Sequence, residues 1–401
     1  MVNSARPSVD EMSDQLAALP NYFLWGTATS AYQIEGGGVN TDWWRFEHAA
    51  ETGAVEPCEN ACDSWNRFEE DLELVASLGL NSYRLSVEWA RIEPEQGVIS
   101  QSALDHYRQV LEGCHQRSIL PVVTLHHFTL PLWVADAGGF ENPEIAAWMG
   151  QYARVVGEAL GEQIGVACTI NEPNIVALMG YLLARFPPQV TSWERFSNVN
   201  TAMRESHVAM RDALRAGPGN FPIGLCLSMQ EYEAVDNAED LLASFLDEME
   251  DRYLRTTSDA DDFLGVQCYT KILMGPEGMV EPTGETTEMG YLFWPQSVEY
   301  CVRRAAQVVT IPLVVTENGI GTDDDAQRIR YLGEALEGLA HAMRDGIEVR
   351  GYFQWSLLDN FEWTLGYRPK FGLVSVDRDT FARVAKPSAQ WYANATKNFS
   401  P

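Results

Sequence analysis

Lysine is scarce in this sequence: only four of the 28 basic residues are lysines, namely Lys271, Lys370, Lys386 and Lys397. The 401 residues carry 57 acidic side chains, which leaves a formal net charge of −29. Such a charge repels polyanions, so we expect neither nucleic acid nor an anionic membrane surface as a partner. An acidic, lysine-poor surface is compatible with adaptation to high salt, with plain solubility and with a genomic preference for arginine.

Long apolar runs are also missing. No stretch approaches the roughly 18 apolar residues that a membrane helix needs. Residues 1–20 show no apolar stretch flanked by positive charge, so we expect no secretory signal there and a cytoplasmic location. The seven cysteines are an odd number, and Cys168, Cys226 and Cys268 lie in apolar, strand-like runs. This pattern favours reduced thiols over a disulfide framework.

Two cofactor-binding patterns are incomplete. Cys58 and Cys62 are close in sequence, but no second pair of Cys or His completes a zinc set, so we expect no metal site. The triplet at 36–38, Gly-Gly-Gly, lacks the G-x-G-x-x-G spacing and the helix that should follow it. A dinucleotide-binding sheet is therefore not indicated.

Short apolar runs alternate about eight times with longer amphipathic segments. The runs are Phe23–Ala28, Ser82–Ser86, Pro121–His126, Val166–Ile170, Ile223–Leu227, Phe263–Gln267, Leu313–Thr316 and Val349–Trp355. This alternation predicts parallel βαβ units, and eight of them in a chain without a linker favour closure. We therefore predict an α/β fold, a (β/α)8 TIM barrel forming a single domain over 1–401. Residues 1–20 are expected to be a peripheral N-terminal segment.

Two of these runs end in a glutamate. Residues 312–319 read Pro-Leu-Val-Val-Thr-Glu-Asn-Gly, and residues 166–173 read Val-Ala-Cys-Thr-Ile-Asn-Glu-Pro. In each case an apolar strand delivers a carboxylate, Glu317 or Glu172, to its carboxyl end. Because chemistry in a TIM barrel collects at that end, we expect the two side chains to face one pocket.

Polar and aromatic residues also lie in or after the predicted strands. They are Gln33, Glu35, Arg84, Glu88, His126, His127, Asn171, Tyr269, Asn318, Trp355, Glu362 and Trp363. Side chains alternate between the two faces of a strand, so one of two adjacent histidines points toward the barrel axis and the other into the wall. His126 is the less favoured of the two.

Two carboxylates among amide, imidazole and aromatic side chains are typical of a retaining glycosidase. One carboxylic acid protonates the glycosidic oxygen, and the other, about 5–5.5 Å away, attacks the anomeric carbon. Glu317 needs a cation to stay ionised, and we expect Arg84, one strand end away around the barrel wall, to supply it. Glu172 needs to hold a proton through burial and repulsion from Glu317. Each glutamate alone would more often be a strand-end turn residue, but the two in matching contexts on one barrel favour catalysis. The alternative for Arg84 is a pairing with a barrel acid such as Glu88.

Five motifs carry a family resemblance. They are FLWGTATSAYQIEG at 23–36, YRLSVEWARI at 83–92, TINEP at 169–173, TENG at 316–319 and GYFQWSLLDNFEW at 351–363. On these motifs the sequence resembles glycoside hydrolase family 1, the β-glucosidase and β-glycosidase family. The resemblance implies a (β/α)8 barrel with Glu172 as acid/base and Glu317 as nucleophile. It also implies that Arg84 and Tyr269 contact the nucleophile, and that no cofactor or metal is needed.

The resemblance further implies a binding site for the non-reducing sugar. Its residues are Gln33, His127, Asn171, Trp355, Glu362 and Trp363. Gln33 and Glu362 are expected at the outer hydroxyls, and His127 and Asn171 on the O3 and O2 side. The indole of Trp355 is expected to form the floor of the site. The indole of Trp363 is expected to contact the same sugar that Glu362 binds.

The sequence departs from the family pattern at a few positions. Phe128 stands where the family usually has tryptophan, and Gln267 and Cys268 stand where it has Asn-Tyr. The loops after Arg185 and Gly321 and the segment 229–262 are short, so the leaving-group side is expected to be open.

We therefore expect a retaining exo-β-glycosidase that acts on small β-glycosides or oligosaccharides with a terminal β-D-glucosyl unit, with galactosyl and fucosyl as further candidates. Phospho-β-glycosidases replace the Glu362-Trp363 pair, which is intact here, so a neutral sugar is favoured. Two alternatives stay open. One is transglycosylation to an acceptor other than water. The other is a catalytically impaired sugar-binding barrel, suggested by the short loops and by Gln267 and Cys268. The oligomeric state and the natural aglycone are not indicated.

Overall fold

The computed structural model describes residues 21–50, 52–257 and 260–399. Eight parallel strands close into a barrel and are labelled β1–β8: Leu24–Ala28, Ser82–Ser86, Leu120–His126, Val166–Asn171, Ile223–Ser228, Phe263–Gln267, Leu313–Asn318 and Val349–Trp355. Each strand pairs with the next along the chain, and β8 pairs with β1. The predicted (β/α)8 barrel is confirmed. The predicted peripheral segment, 1–20, lies outside the described residues.

Helices cover the outside of the barrel, one helical region after each strand. They are α1 Ser64–Ser77, α2 Gln101–Gln116, α3 Ile145–Leu160, α4 Trp193–Ala216, α5 (the segments Glu239–Leu246, Asp247–Asp251 and Arg252–Thr257), α6 Ser297–Ala306, α7 Asp325–Arg344 and α8 Pro387–Asn398. Polar side chains cap several of them. For example, the Asp324 carboxylate accepts from the backbone N–H groups of Ala326 and Gln327 at the start of α7. Within the described ranges, no helix has the length and apolar character required to span a bilayer.

Short helices and strands lie in the loops that connect the barrel strands and the outer helices. The short helices are Ala31–Glu35, Asp42–Glu47, Trp89–Ile92, Leu132–Asp136, Gly139–Glu141, Pro173–Ala177, Leu178–Leu182 and Trp363–Leu365. Strands Glu231–Ala234, Lys271–Gly275 and Gly278–Val280 form a three-stranded sheet from the segments that follow β5 and β6, and Val374–Val376 pairs with Arg383–Ala385.

Two apolar cores hold the fold together. The larger one lies between the barrel wall and the helices, and the smaller one fills the barrel interior. The interior core consists of Leu24, Ala28, Leu120, Val122, Val166, Cys168, Cys226, Phe263, Val314, Phe353, Trp355 and Phe371. Strands buried on both faces explain why the sequence shows continuous apolar runs at these positions. All seven cysteines are buried as free thiols.

β4 and β7 lose their regular register just before they end. The β4–β5 pairing shifts between Cys168 and Asn171, and the β6–β7 pairing shifts between Val315 and Glu317. Cys168 and Val314 lie in the interior core, so strict alternation beyond them would aim Asn171 and Glu317 into the wall. The irregularities instead turn both side chains toward the axis, as β-bulges do near functional sites.

Candidate active site

A cavity of about 310 Å³ opens at the carboxyl ends of the strands. Nine of the ten predicted site residues line it: Gln33, His127, Asn171, Glu172, Tyr269, Glu317, Trp355, Glu362 and Trp363. The tenth, Arg84, is fully buried and lies behind Glu317, with which it forms an ion pair. The structure therefore brings all ten predicted residues together.

The Glu317 carboxylate accepts three hydrogen bonds. Oε1 accepts from Arg84 at 2.5 Å and from the Gln267 side-chain amide at 3.0 Å. Oε2 accepts from the Tyr269 hydroxyl at 2.6 Å. Hydrogen bonds to an ionised carboxylate stabilise that form, so these donors hold Glu317 in one orientation and favour its charged state.

Arg84 reaches Glu317 across the barrel interior. β2 and β7 are separated by β1 and β8 in the closed sheet, so the prediction that Arg84 lies one strand end away around the wall was wrong. Its second terminal nitrogen donates to Asn171 Oδ1 at 2.5 Å, and its Nε donates to Thr124 Oγ1 at 3.1 Å. One guanidinium thus ties together β2, β3, β4 and β7.

Arg84 does not pair with Glu88, which was the alternative partner. Both oxygens of Glu88 lie 2.9 Å from the Thr129 hydroxyl, which donates to that carboxyl group. Burial raises the pKa of Glu88 to about 8. Glu88 therefore belongs to the packing between β2 and the segment that follows β3.

Gln267 and Cys268, the two departures from the family pattern, point in opposite directions. The Gln267 amide nitrogen donates to Glu317 Oε1 and, at 2.8 Å, to Asn171 Oδ1. Cys268 instead packs in the outer core, where burial and the thiol of Cys268 raise the pKa of Cys301. Only Gln267 therefore acts on the site.

Glu172 directly follows β4 and has a left-handed backbone with φ of 42°. Its backbone N–H donates to Cys226 O at 2.8 Å, and Pro173 begins the next helix, where a missing N–H carries no cost. A non-glycine residue in this conformation is strained and persists only where its surroundings hold it. This backbone turn places the Glu172 side chain in the cavity lining.

The surroundings of the two glutamates shift their pKa values to different extents. For Glu172, burial first and then the charge of Glu317 raise the pKa well above its usual value. For Glu317, burial raises the pKa, while the Arg84 charge and the Tyr269 hydrogen bond oppose the rise. The surroundings therefore favour the protonated form more strongly for Glu172 than for Glu317.

Gln33 and Glu362 contact each other in the cavity lining. The Gln33 amide donates to Phe361 O at 2.6 Å and to Glu362 Oε2 at 3.5 Å, and its oxygen accepts from Ser30 at 2.7 Å. Burial, and then the charge of Glu317, raise the pKa of Glu362 to about 8. At neutral pH this carboxyl group is largely protonated, so it can both donate and accept hydrogen bonds.

His127 and Asn171 form a second polar pair. Asn171 Oδ1 is taken by Arg84 and Gln267, so its Nδ2 donates to His127 Nε2 at 3.1 Å. Burial and the Arg84 charge lower the pKa of His127 well below its usual value, so the ring is neutral. His126 packs against Phe140 outside the cavity lining, which agrees with the preference for His127.

Aromatic rings form the remaining wall. Trp363 stacks on Tyr32 with centroids 5.8 Å apart and contacts Trp43 and Phe128 at 4.5 and 4.9 Å. His127 lies nearly parallel to Trp355, 5.9 Å away. Phe128 thus keeps the apolar wall but has no N–H to offer a ligand.

Two residues expected near this edge of the barrel serve other contacts. Glu35 forms an ion pair with Arg91 at 2.8 Å and accepts from Tyr107 at 3.2 Å. Asn318 donates to Cys268 O at 2.6 Å and accepts from Tyr352 at 2.7 Å, and so packs between the barrel and α7. The next residue is Gly319, and a side chain is excluded at this position because a Cβ atom would lie 2.0 Å from Trp355 O.

Sequence reasoning missed the contribution of β5. Ser228 ends that strand, Gln230 follows it, and both line the cavity. The signal was available, because β5 was the one predicted strand for which no polar residue had been assigned at the carboxyl end. Arg185, Met279 and Tyr291 also line the cavity, but they come from connecting segments where the sequence has no periodic signal.

Comparison with known proteins places this geometry in a family. The model of glycosyl hydrolase family 1 matches residues 15–253 and 251–400. The chain belongs to glycosyl hydrolase family 1. Its eight-stranded barrel is therefore that of a glycoside hydrolase.

Relatives of this family 1 enzyme match nearly its full length. A 1,4-beta-D-glucan glucohydrolase of Thermotoga neapolitana is 32% identical over 441 residues, covering 94% of this chain and 98% of the relative. A bifunctional beta-D-glucosidase/beta-D-fucosidase of Bifidobacterium breve is 32% identical, covering 93% and 97%. The structure of the Thermotoga maritima beta-glucosidase in complex with glucoimidazole superposes with a TM-score of 0.88 at 29% identity, covering 96% and 99%.

Proposed function

We propose that this enzyme is a retaining exo-β-glycosidase of the β-glucosidase type, formed by one catalytic barrel domain. It releases terminal non-reducing β-D-glucosyl units, and the similar glucosidase/fucosidase makes β-D-fucosides the next candidates. β-D-Galactosides are a further candidate. The observation that carries the proposal is the unequal pair of glutamates in one cavity. Glu317 is held by a cation and a phenol, while Glu172 has no bonded cation in the described part of the chain.

Glu317 is the proposed nucleophile. Arg84 and Tyr269 bind it in its ionised form, and three donors fix its orientation before substrate arrives. Such preorganisation lowers the barrier because little rearrangement remains to be made in the transition state. Among the residues that the structure describes, only Tyr269 donates to Oε2, so this oxygen keeps a lone pair for the anomeric carbon.

Glu172 is the proposed acid/base. Burial and the charge of Glu317 raise its pKa well above the usual value, which favours the protonated form that can transfer a proton to the departing glycosidic oxygen. Formation of the glycosyl ester neutralises Glu317 and removes one cause of the raised pKa. Glu172 then ionises more readily and can accept a proton from the attacking water, which completes the retaining cycle.

The remaining predicted residues are proposed to bind the sugar. Gln33 and Glu362 offer an amide and a carboxyl group on one side, and Asn171 and His127 offer an amide and a neutral imidazole on the other. Neutral and protonated groups suit sugar hydroxyls, which both donate and accept. A dianionic 6-phosphate is disfavoured because Glu362 contributes a carboxyl group at this position, and in the described ranges it is bonded to Gln33 and not to a cation that could bind a phosphate.

Release of nitrophenol tests the proposal. The substrates are the 4-nitrophenyl β-glucoside, β-galactoside, β-fucoside and 6-phospho-β-glucoside, assayed at neutral pH. We expect turnover of the neutral sugars and little of the phosphorylated one, and proton NMR should show the β-anomer of the released sugar first. Initial release of the α-anomer would refute retention. If none of the four substrates is turned over, the result would instead support the catalytically impaired barrel.

A further inference from the structure

The cavity has two chemically different parts. Its inner part contains the buried polar groups described above. Its outer part is lined by Met179, Leu183, Ile272, Met279, Met289 and Tyr291. Three of these are exposed large apolar residues: Leu183 at 37%, Met279 at 44% and Tyr291 at 40%. Exposed apolar side chains that are grouped around the entrance of one cavity indicate a binding surface, whereas single exposed apolar residues are common on any protein surface.

The exposure of Met279 arises from ordered structure. Strands Lys271–Gly275 and Gly278–Val280 form a tight hairpin in which Met279 pairs with Met274. The Lys271 ammonium anchors this hairpin to the neighbouring strand through Glu231 at 3.1 Å and Glu233 at 2.5 Å. The fold therefore presents this apolar side chain at the entrance.

Two polar side chains near the entrance, those of Gln230 and Thr270, are already used within the protein. The Gln230 oxygen accepts from the backbone N–H groups of Tyr269 and Thr270, both at 3.0 Å, and its nitrogen donates to Ser228 at 3.4 Å. The Thr270 hydroxyl donates to Leu292 O at 2.8 Å. A second sugar ring needs free donors and acceptors for its hydroxyls, and these two residues do not offer them.

We propose that the leaving-group site of this enzyme takes an apolar aglycone, an alkyl chain or an unsubstituted aryl ring, in preference to a second sugar. The inference rests on the proposed glycosidase function and names the class of alcohol released, which departs as R–OH with the proton of Glu172 while water supplies the hydroxyl of the sugar. Three methionines, Met179, Met279 and Met289, suit this task because their flexible side chains adapt to apolar groups of different shape.

Alkyl glucosides test the proposal because alkanols of different length leave with similar intrinsic ease. We expect kcat/KM for octyl β-D-glucoside to exceed that for methyl β-D-glucoside at least about tenfold, as burial of two methylene groups contributes about that much. Cellobiose should be a poorer substrate than the octyl glucoside. Equal kcat/KM values for the octyl and methyl glucosides, or a higher value for cellobiose, would overturn the inference while leaving the glycosidase function intact.

Variants locate the effect. Met279→Ser and Leu183→Ser should each lower the octyl-to-methyl ratio of kcat/KM about threefold or more. Val384→Ser, at a 62% exposed apolar residue outside the cavity lining, is the matched control and should leave the ratio unchanged. An equal ratio in all four proteins would show that these side chains do not bind the aglycone.

A binding measurement separates failure of the inference from failure of the proposed function. Octyl and methyl 1-thio-β-D-glucosides, which resist hydrolysis, are titrated calorimetrically into the full-length protein. Tighter binding of the octyl compound supports the apolar site even in a protein without turnover. Equal affinity for the two compounds refutes it.

Discussion

The side-chain amide of Gln267 bridges Glu317 Oε1 at 3.0 Å and Asn171 Oδ1 at 2.8 Å. The two terminal nitrogens of Arg84 bind the same pair of oxygens, each at 2.5 Å. Both acceptors are thus held by two donors from different strands, and the carboxylate and the amide keep a fixed separation. A residue that departs from the family pattern therefore takes part in the organisation of the site.

Replacing Gln267 should change how readily Glu317 ionises. Gln267→Ala removes one donor from the carboxylate, which raises the pKa of Glu317 and moves the acidic limb of the kcat/KM profile to higher pH. Activity at neutral pH should fall by about 10- to 100-fold, as for removal of a hydrogen bond to a charged group. Gln267→Asn, the usual family residue, should retain more activity. An unshifted acidic limb would show that the bond to Glu317 has no electrostatic effect.

Removing the proposed nucleophile should abolish hydrolysis. Glu317→Ala leaves no carboxylate to form the glycosyl ester, so turnover of a nitrophenyl β-glucoside should fall by more than about 10³-fold. Added azide should restore turnover and yield the α-glycosyl azide, identified by NMR. If this variant keeps more than about a hundredth of wild-type activity, the nucleophile has been assigned to the wrong residue.

Removing the proposed acid/base should affect substrates unequally. Glu172→Gln cannot protonate the leaving group, so activity should survive best on dinitrophenyl glycosides and fall steeply on alkyl glycosides. The alkaline limb of the wild-type pH profile reflects loss of the Glu172 proton, because the pKa of this group is raised well above its usual value. That limb should disappear in the variant. Equal loss on both substrate types would argue against the assignment.

Glu88 should make the fold less stable as the pH rises. Burial raises its pKa from the usual 4.5 to about 8, so its stabilising contribution is complete below about pH 4.5 and is lost as the pH rises through 8. A tenfold change in a protonation equilibrium corresponds to about 1.4 kcal/mol. Between pH 5 and 9, the free energy of urea unfolding should therefore decrease by several kcal/mol more in the wild type than in Glu88→Gln. Glu112→Gln, at an exposed position on α2, should follow the wild type. Parallel curves for Glu88→Gln and wild type would refute the prediction.

Much of the architecture was determined by the sequence alone. The eight apolar runs predicted eight barrel strands to within a few residues, because parallel strands buried on both faces have a continuous apolar composition that no surface element needs. The position of each polar residue after its strand then fixed which end of the barrel it occupies. For this reason, nine predicted residues proved to line one cavity.

The tertiary structure decided which way these side chains point and which of them meet. Alternation along β7 would turn Glu317 into the wall, and only the register shift relative to β6 turns it inward. Closure of the barrel brings Arg84 of β2 to Glu317 of β7 across the interior, a contact between residues 233 positions apart. The charge states of Glu172 and Glu317 arise from burial and from this contact. Periodicity in a sequence reports local geometry, whereas pKa values depend on neighbours that only the closed barrel supplies.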